Sequence, residues 1–357
     1  MFQDLKLCWP KNSAANMNQT YESIDLLYEV SGTKPSDHRV GMIVSCADVT
    51  TSEKKGENCI HKLDITDLPN FSSATPQVTH EVLPGQGTCS QIITVNPGLK
   101  IAAFDTGCII PVKNFGPKNT FNCDVRGRLS HHHNAINALA ANHRGDQLAS
   151  GSVSGELVLY RVDDERISFL SRASIGHYVT GLAYVHESND TLIYANLEGD
   201  LGTIDTRCKL AQEITQTPLV DSQRNISTIC SISKKPAMVV AAGCASGQIV
   251  GFDLRNPREE LFSPTRDDDG CVRRLREVLV SDSAGQTCSF IAYTNQTNEL
   301  RILETETMFR DKRWICQGLP HEEQRDFVQV GNHLVSCGRK TSIGCWSWDN
   351  SREREGS

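Results

Sequence analysis

Four stretches of the chain share one order of apolar and polar positions. Each runs from small or apolar residues through a short polar turn that ends in glycine into an alternating apolar strand: KIAAFDTGCIIPVKNF (100–115), LASGSVSGELVLYRV (148–162), LIYANLEGDLGTIDTR (192–207) and VAAGCASGQIVGFDLR (240–255). A second short run precedes each at a similar offset: TCSQIITV, AINALAAN, YVTGLAYV and ISTICSIS. These runs are rich in Ile, Val, Thr and Tyr and are bounded by turn formers, which predicts strands, and helical periodicity is nearly absent. In ELVLYR both faces stay apolar or aromatic, the pattern of a strand covered on both sides rather than one with a wet face.

The turn glycines Gly107, Gly155, Gly199 and Gly247 are 48, 44 and 48 residues apart. Two-residue turns of type I′ need positive φ, so these glycines are expected to join the second and third strands of each unit. Weaker copies extend the series: residues 290–303 with Asn298 at the turn, residues 334–350 ending in Trp348-Asp349, and residues 40–65 with Gly56 at the turn. Seven units of about four short strands, at a period near ~45 residues, predict an all-β, seven-bladed WD40-type β-propeller with degenerate repeats. The expected organisation is an N-terminal segment 1–30, a propeller over 31–350 and a polar, disordered tail 351–357. Ring closure calls for a terminal strand, and IDLLYEV (24–30) is the candidate.

A composition of 38% hydrophobic and 22% charged residues in 357 suits a well-buried globular core. The most apolar run, AMVVAAGCA from Ala237, is about half of the roughly 18 residues that a membrane helix needs, so no membrane insertion is expected. The N-terminus carries Asp4 and Lys6 where a signal peptide needs an apolar centre. Fourteen cysteines are scattered with no C-x-x-C pair, several of them inside apolar strands, which reads as free thiols in a reducing compartment. A net charge of −7 disfavours direct binding to a nucleic-acid backbone. The one basic run, CVRRLR (271–276), follows RDDDG and reads as a solvated loop.

Candidate chemistry is sparse. Consecutive histidines His131, His132 and His133 in an extended chain point to alternate faces and do not converge on one ion, so the run, with His143 downstream, reads as a solvated loop rather than a metal site. Gly176-His177 stands where a propeller blade places a structural imidazole that bonds within the blade. RDDDG lacks the alternating spacing of a calcium loop. No nucleophile elbow, phosphate loop or zinc-protease motif occurs, and no catalytic residue, cofactor or metal ligand is assigned.

The order of the unit ends resembles the nucleoporin forty-three family, the small WD-repeat propellers of the Y-shaped outer-ring complex of the nuclear pore. In that family the third blade ends in a Phe/Tyr-Arg pair followed by acid, as Tyr160, Arg161, Asp163 and Asp164 do here. The next two blades end in Trp-Asp-x-Arg. Ile204-Asp205-Thr206-Arg207 and Phe252-Asp253-Leu254-Arg255 match except at the Trp, and order and spacing agree across residues 39 to 350. The resemblance implies a non-catalytic structural nucleoporin, partnered by other outer-ring nucleoporins including a helical-solenoid subunit. It implies a nuclear location at the pore complex of the nuclear envelope, with a kinetochore population in mitosis. Roles in messenger RNA and protein transport would follow from complex membership. The alternative is another WD-repeat adaptor, presenting substrates in a methyltransferase or ubiquitin-ligase complex.

Overall fold

In a computed structural model the strands assemble into seven antiparallel sheets of four strands each. The structure describes residues 2–4, 19–30, 39–48, 59–66, 77–82, 87–113, 122–164, 166–186, 188–207, 215–217, 224–233, 238–256, 260–262, 270–281, 287–296, 299–304, 313–317, 323–338 and 343–348. Sheet I comprises Gln19–Val30, Arg39–Asp48, Cys59–Thr66 and Gln77–Val82, and sheet II Cys89–Asn96, Leu99–Phe104, Ile109–Lys113 and Asn122–Cys123. Sheet III has Ile136–Ala141, Gln147–Ser152, Glu156–Asp163 and Arg166–Ser174, and sheet IV Val179–Tyr184, Thr191–Asn196, Leu201–Asp205 and Thr215–Thr217. Sheet V follows with Ile226–Ile232, Val239–Cys244, Ile249–Asp253 and Glu260–Phe262, and sheet VI with Arg274–Ser281, Thr287–Thr294, Glu299–Glu304 and Arg313–Gln317. Sheet VII takes Gln324–Val330, His333–Gly338 and Ile343–Trp348, and its fourth strand is Phe2–Asp4 from the other end of the chain. The described residues include one 3-10 turn, Val125–Gly127, and no α-helix.

Middle strands with two apolar faces explain where the core sits. Alternate residues of Glu156–Asp163 enter two different clusters: Leu157 and Leu159 pack against sheet IV, while Val158, Tyr160 and Val162 pack against sheet II. The second strands of sheets II and V are buried at every position. Seven clusters result, one at each junction from I–II to VI–VII and one between VII and I. Burying one such leucine or valine stabilises by about 1.5–3 kcal/mol, so the core is a sum of seven similar seams.

The candidate closing strand is corrected by the pairing. Residues 24–30 belong to Gln19–Val30, the first strand of sheet I, which pairs with Arg39–Asp48. The complementary strand of sheet VII is Phe2–Asp4, with Phe2 opposite Trp348 and Asp4 opposite Trp346. Each unit begins with a strand upstream of its turn, and IDLLYEV is that strand for the first unit. The basic run is corrected too: Arg274 and Arg276 lie on the first strand of sheet VI, with Val272 and Leu275 buried beside them. Gly56, Asn298, residues 266–269 of RDDDG and the tail 351–357 lie outside the described residues.

Candidate functional site

The first strands of successive sheets adjoin one another in the order I to VII, and the first strand of sheet VII adjoins that of sheet I. Polar residues inserted in these otherwise apolar strands bridge every seam. Ile92 N–H donates to Ser23 Oγ (3.0 Å), Leu139 N–H to Gln91 Oε1 (2.9 Å), and Asn137 Nδ2 to the Val179 carbonyl (3.2 Å). His186 N–H donates to Ser231 Oγ (3.2 Å), Ser233 N–H to Glu277 Oε1 (3.0 Å), and Leu279 N–H to Gln329 Oε1 (3.1 Å). The last seam, from VII to I, is made by Ile24 N–H donating to Asp326 Oδ2 (3.3 Å). Six of the seven first strands also carry a bulge near their start, after Tyr21, Cys89, Ile136, Val179, Ile226 and Gln324. The bulge turns Ser90 and Ser227 sideways, where each hydroxyl donates to a carbonyl of the next sheet's entry, Ile136 and Val272.

The first strands of sheets II to VII line a cavity of about 500 Å³ whose wall includes Gln91, Asn137, Thr180, Thr228, Arg274 and Gln329. Thr180 is buried and its hydroxyl has no hydrogen-bond partner among the described residues. Beside the cavity lies an ionic cluster. Asp326, fully buried, accepts from Ser23 Oγ (2.8 Å), Phe327 N–H (2.8 Å) and Arg276 Nη2 (2.9 Å). Burial works against the Arg276 charge, but Asp326 and then Asp25 more than offset it and hold the guanidinium above its usual range. Asp25 accepts from Thr94 Oγ1 (2.7 Å) and pairs with Lys100 Nζ (3.3 Å), whose pKa burial lowers against the pull of that carboxylate. Glu277 is capped by Ser233 and by Ser289 Oγ (2.6 Å). Each carboxylate of this cluster is thus committed to neighbouring strands.

The four turn glycines sit between second and third strands with φ of +79° (Gly107), +81° (Gly155), +94° (Gly199) and +87° (Gly247). Their N–H groups close turns on Phe104, Ser152, Asn196 and Cys244 carbonyls. The expected type I′ turn is corrected: only the glycine has positive φ, so the loop has three residues with glycine last, a type I turn ending in a left-handed residue. A Cβ on Gly155 would meet His177 N at 2.7 Å, and one on Gly199 would meet the Arg224 carbonyl at 2.4 Å. Gly155 and Gly199 therefore also let their hairpins seat on the backbone leading into the next sheet.

His132 is not solvated. Its ring is buried, with Nε2 2.7 Å from Ser150 Oγ and Nδ1 3.6 Å from Glu156, whereas His131 lies half-buried against Tyr160 and His133 is exposed. His177, where the structural imidazole was expected, is exposed and only 3.8 Å from Glu198. Tyr160 stands inside the third strand, paired on both sides, and is fully buried, so the position is filled by an aromatic other than Trp. His143 and His186, both lining the cavity, meet with tilted rings, centroids 4.3 Å apart. Burial, then His186, lowers the His143 pKa. Among the described residues no group of three or more His, Cys, Asp or Glu is placed to hold a metal ion. Buried thiols are pushed up, Cys89 to about 12 and Cys244 to about 11, which keeps them protonated and unreactive at neutral pH.

Burial holds the His132 imidazole down to about 4, against the pull of Glu156. The unfolded chain therefore takes up a proton that the fold refuses, and stability present above pH ~6.5 is lost as pH falls toward ~4. The contribution to the slope approaches about 1.4 kcal/mol per pH unit. His132→Gln is expected to lack this component in urea unfolding between pH 6.5 and 4.5. Equal slopes for the two proteins would refute the assignment.

The polar residues of the first strands were not singled out from sequence, although they show as breaks in apolar runs: Ser23 and Asp25 in ESIDLL, Gln91 and Thr94 in SQIIT, Asp326 and Gln329 in QRDFVQV. No protein-family model matches the chain, and no curated protein matches it in sequence.

Proposed function

We propose that the chain is a seven-bladed WD40-type β-propeller that serves as a non-catalytic scaffold in the outer ring of the nuclear pore. The observation that carries the architecture is the seam between sheets VII and I. It has the same ingredients as the other six, namely adjoining first strands, a shared apolar cluster and a side-chain to backbone bridge. An open row of seven sheets would leave two outer faces without such a seam. Ring closure also leaves only the outermost strand of each sheet as an edge. A propeller with rim loops offers partners several faces, and its work is contact rather than chemistry.

Support for the pore assignment comes from the unit ends. Tyr160-Arg161 followed by acid closes the third unit, and the fourth and fifth end in Asp-x-Arg with one shared geometry. Arg207 Nε donates to Asp205 (2.9 Å) and Arg255 Nε to Asp253 (2.8 Å). Purification of the tagged protein from its native cells is expected to recover outer-ring nucleoporins, a helical-solenoid subunit among them, with labelling of the nuclear rim and of kinetochores in mitosis. A diffuse signal without these partners would defeat the reading. The cavity lined by the first strands of sheets II to VII favours a second reading, a WD-repeat adaptor that seats a substrate peptide there. In that case the same purification returns a methyltransferase or ubiquitin ligase.

A further inference from the structure

The fourth strands of the seven sheets are unequal. Asn122–Cys123 has two residues, Phe2–Asp4, Thr215–Thr217 and Glu260–Phe262 have three, Arg313–Gln317 five and Gln77–Val82 six, while Arg166–Ser174 has nine. The long one follows a tight turn with Asp164 at φ +53° and pairs along the whole third strand, from Asp163 opposite Arg166 to Glu156 opposite Ser174. It is the last strand of its sheet, and among the described residues no strand pairs with its outer edge, so a row of backbone N–H and C=O groups faces outward there. Proline and short length, two usual ways of blunting an edge, are both absent from RISFLSRAS.

This edge also carries an apolar anchor. Phe169 and Leu170 are 47% and 38% exposed, and a bulge between Phe169 and Ser171 turns Leu170 out of register. Phe169 is held from one side by His131, 5.0 Å away, which itself packs on the buried Tyr160. Its place is therefore set before any partner arrives. Ile167, Phe169 and Arg172 lie opposite Val162, Tyr160 and Val158, which all point into one cluster, so the three share a face of the strand. The Arg172 side chain is 40% exposed; its Nη2 donates to the His131 carbonyl and its Nη1 lies 3.7 Å from Glu156, which fixes the guanidinium at the edge.

We propose that the free edge of sheet III takes up an extended segment of a partner protein as a fifth strand, with apolar residues set against Ile167 and Phe169 and a carboxylate against Arg172. Main-chain bonds supply affinity and the alternate side chains supply selectivity. A second copy fits poorly: antiparallel self-pairing centred on Phe169 puts Arg166 opposite Arg172, and like charges directly opposite destabilise a pair. The inference rests on the scaffold reading for its biological sense and narrows it to one contact.

The test uses the full chain and a synthetic decapeptide whose every second residue, on one face, reads valine, isoleucine and then glutamate, with threonines between, compared with the same peptide carrying lysine for that glutamate. Fluorescence anisotropy is expected to show at least tenfold preference for the glutamate peptide, with slowed amide exchange over residues 166–174 and not in the other fourth strands. Phe169→Glu, at a half-exposed site and so expected to lower the melting temperature by no more than a few degrees, is expected to weaken binding at least tenfold. Arg172→Gln is expected to abolish the preference for glutamate. Unchanged exchange at residues 166–174 under saturating peptide, or equal binding by Phe169→Glu, would overturn the proposal. So would a dimer in sedimentation that Phe169→Glu dissolves, because the occupant would then be a second copy. Failure here leaves outer-ring membership standing, and failure of the co-purification leaves the peptide measurement unaffected.

Discussion

Asp326→Ala is expected to lower stability by about 3–5 kcal/mol, read as a fall in the urea midpoint, because it strips the counter-charge from a partly buried guanidinium. Asp326 is fully buried, and its two oxygens serve Ser23, Ile24, Phe327 and Arg276. Ser23 in turn accepts from Ile92, so one carboxylate ties sheets VI, VII, I and II. Alanine leaves the Arg276 charge without its partner and the Ser23 hydroxyl without its acceptor, and each buried unsatisfied group costs about 1–3 kcal/mol. Removing both charges is a different matter. Asp326→Leu combined with Arg276→Met is expected to recover much of the loss, since apolar replacements of a buried pair are often neutral. A single Asp326→Ala variant within about 1 kcal/mol of the parent would show that the cluster is solvated and that the seam between VII and I rests on its apolar residues alone.

What the sequence revealed followed the range of the interactions involved. Glycine-terminated hairpins are local, and four of them at a regular spacing disclosed four units with their upstream strands; the sheets appear where those runs predict them. Turn type was less legible, because Ser154-Gly155 suits a two-residue turn in composition while the hydrogen bond from Gly155 to Ser152 selects a three-residue one. CVRRLR looked like a loop because its arginines look solvated in isolation. Arg276 meets its carboxylate 50 residues away, and no local pattern announces that pair. His132 was obscured by its two histidine neighbours, and its fate is decided by Ser150, 18 residues on. The edge of sheet III is not marked in the sequence, because it stands out only when the nine residues of Arg166–Ser174 are set against the two to six of the other fourth strands.

Deletion of residues 1–30 is expected to abolish cooperative folding, whereas deletion of residues 1–4 is expected only to lower the midpoint. The short deletion removes Phe2–Asp4 and opens the edge of Ile343–Trp348, a loss of three paired residues. Pairs of this kind contribute roughly 0.2–1 kcal/mol each, with a comparable cost for the newly exposed edge. The long deletion also takes Gln19–Val30, which carries the fully buried Ile24 and the partners of two buried charges. Lys100, 2% exposed, would lose Asp25, and Asp326 would lose Ser23 and the Ile24 N–H. Sheets II and VII would both face a missing first strand, and the clusters at the two flanking seams would open together. Thermal melts and soluble yield separate the outcomes. If the chain lacking residues 1–30 melts cooperatively within a few degrees of the parent, sheet I contributes little to the fold, and the six remaining sheets must close or stand without it.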